Sequence, residues 1–302
     1  MLDMEASILA KLKDKARASN ISYQQCLQLF FQEEFLRRLA KSPYANNFIL
    51  KGGLFIYTLT YFQSRATVDI DFLLQYLSNE ASQVDKIIAE IISIPTGLND
   101  IVFLEAGKTA PIAIQMKYQG LSTQIIGRIK KVRLPFNVDI GIGDVVIPKP
   151  EKRAIKTQLE GFDAPQILTY SLESTIAEKF EAMLQRFELT SRMKDFYDIY
   201  YIARTFDFEG QQLREAIFKT MQNRGRSFNQ NIFIAIEGLT SVEIMKTRWR
   251  AFLKRIRTPD LDFNDVLNVI QVFLRPVLES ILEDRKCIKH WSCDKQAWKE
   301  PV

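Results

Sequence analysis

Five consecutive residues, Val68-Asp69-Ile70-Asp71-Phe72, alternate between apolar and acidic. Side chains of a β-strand point to opposite faces in turn, so Val68, Ile70, Phe72 and Leu74 share one side and Thr67, Asp69 and Asp71 the other. A strand that buries its apolar side leaves two carboxylates on one open face, roughly 7 Å apart at the Cα level. Carboxylates that close repel, and one is driven to protonate unless a cation lies between them. Hard oxygen ligands at this spacing suit Mg²⁺, which takes one or two carboxylates together with substrate phosphates. By itself Asp-x-Asp fits a solvated edge strand equally well; the residues upstream change the reading. Phe48-Ile49-Leu50-Lys51 is a short strand-like run, Gly52-Gly53 follows, and Leu54 to Tyr61 is compatible with a helix. A glycine turn that opens a helix offers bare N–H groups to an anion. Asp69 and Asp71 are therefore candidate metal ligands. Lys51, Gly52, Gly53 and Thr67 are candidates for binding phosphate.

At 302 residues the chain has room for two domains, at about 100–200 residues each. Residues 3–19 carry Ile8, Leu9 and Leu12 at helical spacing, and Ser22 with Gln25 forms a capping box for a helix to about Lys41. Its Leu27, Phe30, Phe31, Phe35, Leu36 and Leu39 are expected in the core. Residues 79–94 read as another helix. Strands are expected at 100–105, 111–118, 123–130, 134–142 and 144–148. In the fourth, Phe136, Val138, Ile140 and Ile142 alternate with Asn137, Asp139, Gly141 and Gly143. Asp139 thus stands on the open face of its strand and is a candidate third metal ligand, which would complete a two-metal acidic triad. Residues 148–165 are charged and proline-flanked and read as a connector, with one last strand at 166–170. From Ser171 the spacing turns helical. The expected class is α+β: residues 1–170 form a mixed sheet with helices, and residues 171–302 a helical domain.

Composition narrows the chemistry. Hydrophobic content of 47% and charged content of 25% are those of an ordinary globular protein. No apolar run reaches the ~18 residues of a membrane span, and the first residues lack a signal-peptide pattern. A cytoplasmic protein without a membrane partner is expected. Cys26, Cys287 and Cys293 are odd in number and follow no disulfide framework, so they read as reduced thiols. His290 is the single histidine, which excludes histidine triads and multi-histidine metal sites. Acid–base work falls to carboxylates, Lys, Tyr or bound metal. Cys287, His290 and Cys293 invite a zinc reading, but a lone three-ligand cluster in a tail supports it weakly, and no zinc is expected. The net charge of +5 permits a polyanionic partner. Lys246, Arg250 and Lys254, spaced i,i+4, would form one basic stripe on a helix, either solvated or available to a nucleic acid.

A second constellation lies in Glu173 to Arg204. Ile176, Phe180, Leu184 and Phe187 repeat at helical spacing, with Lys179 beside Phe180. Then comes Arg192-Met193-Lys194-Asp195-Phe196-Tyr197-Asp198, with Asp195 and Asp198 at i,i+3 and Arg192 three residues before Asp195. Such spacing can simply lace a helix surface, at ~0.2–0.5 kcal/mol per pair. Alternatively, Lys179 and Arg192 meet phosphate, and Asp195 orients the lysine or a nucleotide ribose or base.

The order Lys51-Gly52-Gly53, Arg65-Ala66-Thr67-Val68-Asp69-Ile70-Asp71-Phe72, Ala177-Glu178-Lys179 and Arg192 to Asp198 resembles the AbiEii/AbiGii toxin family, over about residues 45 to 205. The resemblance implies a nucleotidyltransferase with a DNA-polymerase-β-like core. It would be the toxin of a toxin–antitoxin or abortive-infection system, using a nucleoside triphosphate with Mg²⁺. Some members extend the 3′ end of tRNA. It makes Asp69 and Asp71 metal ligands, Lys179 a triphosphate contact and Asp195 an essential acid; from their spacing alone, Arg192 and Asp198 join the candidate nucleotide-binding set. An antitoxin is an implied partner. Leu54 departs from the Thr or Ser usual after the glycines, which removes a hydroxyl contact to phosphate. The acceptor stays open between an RNA or tRNA 3′ end and a protein hydroxyl, and nucleotide or partner binding without turnover is the rival class.

Overall fold

The computed structural model describes residues 3–19, 21–98, 100–112, 120–186, 192–228, 231–239 and 242–300. The chain forms two compact units: residues 1–144 with 150–170, and residues 145–149 with 171–302. No helix among the described residues is long and apolar enough to cross a membrane.

The first unit opens with α1 (Met4–Ala18) and α2 (Tyr23–Lys41). The capping box forms as expected: the Ser22 hydroxyl accepts from the Gln25 N–H, and the Gln25 side chain accepts from the Ser22 N–H. Next come β1 (Phe48–Lys51), α3 (Gly52–Leu59), β2 (Ile70–Leu74), α4 (Ala81–Ser93), β3 (Phe103–Ala106), β4 (Ala110–Ile112), β5 (Gly120–Ile129), β6 (Val132–Gly141), β7 (Glu151–Ala154) and β8 (Gln166–Thr169). Among the described residues these strands make one mixed sheet in the order β3-β5-β6-β2-β1-β8-β7, with β4 also on β5. β2 runs parallel to β6, and β1 parallel to β8; the other pairs are antiparallel.

Helix α2 covers one face of this sheet. Phe35 packs on Phe72 of β2 and Phe136 of β6, with ring centroids 6.2 and 6.4 Å away. A Cβ on Gly127 of β5 would overlap the Phe31 ring, so only glycine lets the helix approach this closely. The expected apolar face of α2 is buried, but so are Gln28, Gln32, Glu33, Glu34, Arg37 and Arg38. A helix buried all round must satisfy its polar side chains locally. Glu34 does so by accepting from Arg37 Nε and Arg38 Nε, each at 2.9 Å.

Several boundaries differ from the sequence reading. Residues 144–148 are not a strand: Gly143, at φ +78°, turns the chain out of β6. The connector 148–165 contains β7, a charged strand paired with β8 on one side. Helix α3 begins at Gly52, not after the glycines. Much of the expected strand 111–118 lies outside the described residues. Val68 is 52% exposed although Ile70, Phe72 and Leu74 are buried, because β2 begins only at Ile70.

The second unit holds α5 (Leu172–Arg186), α6 (Met193–Thr205), β9 (Phe208–Glu209), α7 (Gly210–Asn223), α8 (Asn231–Gly238), α9 (Glu243–Ile256), α10 (Phe263–Leu282), β10 (His290–Ser292) and β11 (Ala297–Lys299). It is built on helices. The order β11-β10-β9 adds a small antiparallel sheet that the sequence reading did not contain. Trp291 of β10 is fully buried, its ring 4.9 Å from Phe273 of α10, and its indole N–H donates to the Ala203 carbonyl at 2.7 Å.

Glu33 yields a prediction for the first unit. Its Oε1 accepts from the Gln158 N–H at 2.8 Å, while Oε2 is buried without a hydrogen-bond partner. Burial pushes its carboxyl up to about 8, against a partial lowering by Arg37. The folded state therefore holds a proton that the unfolded state releases near 4.5. Stability from this group is full below that value and declines as pH rises toward about 8. Glu33→Gln should flatten that decline in unfolding midpoints measured between pH 5 and 8.

Candidate active site

Strand register builds the site. Lys51 of β1 lies opposite Asp71 of β2, Asp71 lies beside Asp139 of β6, and Asp139 lies opposite Ser122 of β5. Residues in register share a face, so Lys51, Asp71, Asp139 and Ser122 form one row across four strands spaced about 4.7–4.9 Å apart. This is the face opposite α2. Asp69 and Asn137 stand one step along the same face, Asp69 just before β2 starts. The three aspartates and Lys51 are half-buried.

Each polar group on this face has an identifiable neighbour. Ser122 Oγ donates to Asp139 Oδ1 at 2.6 Å, and Asn137 Nδ2 donates to Asp69 Oδ1 at 3.2 Å. Lys51 Nζ donates to Asp144 Oδ2 at 2.7 Å and stands 5.2 Å from the Tyr170 ring centroid. The sequence reading missed Ser122, Asn137 and Asp144. The first two could have been found from the period-two faces of β5 and β6, had the register been known. Asp144 lies in the turn that was read as a strand.

The two glycines fit this arrangement. A Cβ on Gly52, whose φ is +69°, would overlap the Asp71 carboxylate; one on Gly53 would lie 2.9 Å from Thr67 Oγ1 and 3.5 Å from Arg65 Nη2. The pair therefore serves close approach as well as the turn. It seats the start of α3 directly against Asp71 and Thr67. The N-cap residue, Lys51, makes no side-chain cap hydrogen bond, and N–H groups at a helix start suit an anion.

The donor set fits a hard divalent cation: carboxylates from adjacent strands, with the glycine cradle beside Asp71. Among the described residues no group of three or more His, Cys, Asp or Glu is close enough to hold a metal ion. Asp69 and Asp139 are each turned to a neutral donor by one oxygen. In the tail, His290 Nδ1 pairs with Glu209 Oε1 at 2.8 Å, and Cys287 is buried.

The second constellation is a buried ionic network inside the second unit. Lys179 of α5 places Nζ 2.6 Å from Asp198 Oδ2 and 3.3 Å from Asp195 Oδ1, both on α6. Arg192 Nε lies 2.6 Å from Asp195 Oδ2. Lys179, Asp195 and Asp198 are buried, whereas Arg192 is partly exposed. A solvated helix surface was one sequence-level option; these acids instead lie between two packed helices, and each carries a cation. On α9, Lys246 pairs with Glu243 at 3.0 Å, while Arg250 and Lys254 are exposed.

A family model described as nucleotidyl transferase AbiEii toxin, type IV toxin–antitoxin system, matches residues 34–269. Among solved structures, the chain is similar to a candidate nucleotidyltransferase from H. pylori, with TM-score 0.48 and 16% identity, over 88% of this chain and 100% of that one. It is also similar to JHP933 from Helicobacter pylori, with TM-score 0.49 and 17% identity, over 87% and 95% of the two chains. No curated protein matches.

Two substitutions probe these sites. Gly52→Ala should displace the Asp71 carboxylate and lower transfer activity by an order of magnitude or more while circular dichroism stays native. Lys179→Met should cost about 3–5 kcal/mol in denaturant unfolding, since it takes the buried ammonium away from two buried carboxylates. A smaller loss would show that Arg192 and solvent already carry that charge.

Proposed function

Because the chain belongs to the AbiEii family of nucleotidyltransferase toxins of type IV toxin–antitoxin systems, we propose that it transfers a nucleoside monophosphate from a triphosphate to the 3′ end of an RNA, a tRNA in particular. The transfer would depend on Mg²⁺. The observation that carries this reading is the row of Lys51, Asp71 and Asp139 on neighbouring strands, with Gly52 against the Asp71 carboxylate. A hydroxyl attacks the α-phosphate and pyrophosphate leaves; positioning and electrostatics dominate such chemistry. Bound Mg²⁺ would supply charge stabilisation to the attacking and leaving oxygens, held by Asp69, Asp71 and Asp139.

The chain's own groups do the rest. Gly52 and Gly53 let backbone approach the phosphates, with the N–H groups of the first turn of α3 as donors. Lys51, held by Asp144, and Thr67 stand beside that turn's acidic neighbours and complete the phosphate set. Asp139 would also draw the proton from the attacking hydroxyl. On the family resemblance Lys179 would contact the triphosphate; Arg192 would join it, with Asp195 and Asp198 fixing the lysine. The exposed Arg250 and Lys254 of α9, with Lys246, offer a basic stripe to an RNA acceptor. The family also implies an antitoxin as the protein partner.

The test is incubation with each labelled triphosphate, Mg²⁺ and total cellular RNA, with sequencing of extended 3′ ends. Asp71→Asn should remain folded and lose transfer by at least about a hundredfold. Label that appears on protein and not on RNA would move the acceptor to a protein hydroxyl. Full activity in the folded variant would remove Asp71 from the site.

A further inference from the structure

The face of α2 that packs on the sheet repeats at positions 28, 31, 32 and 35, a single helical stripe. Two of these are Phe31 and Phe35, which press on Gly127, Phe72 and Phe136. The other two are glutamines, 6% and 0% exposed. Their side-chain amides converge on one atom: Gln28 Nε2 and Gln32 Nε2 each donate to the Val68 carbonyl at 2.7 Å. Gln28 Nε2 also lies 3.4 Å from the Pro135 carbonyl in β6. Both lone pairs of the Val68 oxygen are thereby used.

This carbonyl belongs to the peptide that joins Val68 to Asp69. The segment stands outside the ladder, since β2 begins at Ile70, and the Val68 side chain points to solvent. Packing alone therefore does not fix it. Burying an amide costs free energy unless its groups are bonded. Gln32 Oε1 is buried without a hydrogen-bond partner, so an apolar residue would suit this stripe better on stability grounds. What the two amides add is a fixed backbone ahead of both acidic strands. The α2 face that seats Phe35 on β2 and β6 also holds the approach to Asp69 and touches β6 four residues before Asp139.

We propose that Gln28 and Gln32 are positioning residues for Asp69: by gripping the 68–69 peptide from α2 they set where its carboxylate stands relative to Asp71 and Asp139. The inference rests on the metal reading of those three carboxylates. The two glutamines precede the residues matched by the family model, which begin at 34.

Methionine keeps the length of glutamine and removes the donors. Mn²⁺ binding to the protein without nucleotide, followed by the paramagnetic resonance of the free ion, is the readout that a purely structural role would not move. Gln28→Met/Gln32→Met should weaken it on the order of tenfold, the effect of one to two net hydrogen bonds. Gln28→Met alone, which leaves the Gln32 bond, should weaken it less; this single variant carries the test if the double variant does not fold. In activity assays kcat should fall while KM for the triphosphate stays within about twofold, since the phosphate-binding groups are untouched. Added to Asp69→Asn, the glutamine changes should cost nothing further. Unchanged Mn²⁺ affinity in the folded variants overturns the proposal. So does an undiminished extra loss on top of Asp69→Asn, which would mark general softening of the fold. If the unsubstituted protein takes up no Mn²⁺, the metal reading itself fails and takes the proposal with it.

Discussion

The parallel pairing of β2 with β6 is the contact on which the site depends. It places Asp71 beside Asp139. Side chains alternate along a strand, so a slip of one residue would turn one carboxylate into the core and an apolar residue out to solvent. Such a slip is opposed from the other face. Phe72, Phe136, Val138 and Ile140 are buried there, and Phe35 of α2 touches both strands. The hydrophobic core and the acidic row are two sides of one registration, and the core enforces it.

The second unit solves a different electrostatic problem. Lys179, Asp195, Asp198 and Arg192 bring two positive and two negative charges together, three of the four groups being buried. Desolvating ions is expensive, and a well-packed apolar replacement is often as stable. Stability alone therefore does not account for the network. A charge-balanced cluster that exposes only its arginine edge is consistent with a unit in which these residues have work beyond holding the fold.

Much of this was legible in the chain. The alternations at 68–72 and 136–142 placed the aspartates on strand faces, the Ser22–Gln25 box marked a helix start, and Phe48–Lys51 formed a strand at the expected bounds. Illegible features have a common cause: they depend on register or on long-range contact. Nothing local says that Ser122 will face Asp139, or that Asn137 will bond Asp69. Val68 obeyed the alternation yet ended in solvent, because β2 begins only at Ile70. Gly143 carried the opposite lesson. It continued the alternation of β6 on paper, but its left-handed backbone turned the chain away and left Asp144 facing Lys51.

The row across four strands also has a consequence in time. Its members come from β1, β2, β5 and β6, and the adjacent Asp71 and Asp139 are far apart in sequence. Contacts of this kind form late, because loop-closure entropy must be met before they return any stabilisation. During synthesis the chain emerges N-terminal end first, so Asp71 leaves the ribosome well ahead of its neighbour. Until β6 has emerged and zipped to β2, the acidic row does not exist. A nascent or truncated chain ending before Asp139 carries the glycines and the Asp-x-Asp run but lacks half of the acidic pair. Topology thus delays completion of the row until most of the first unit has been built.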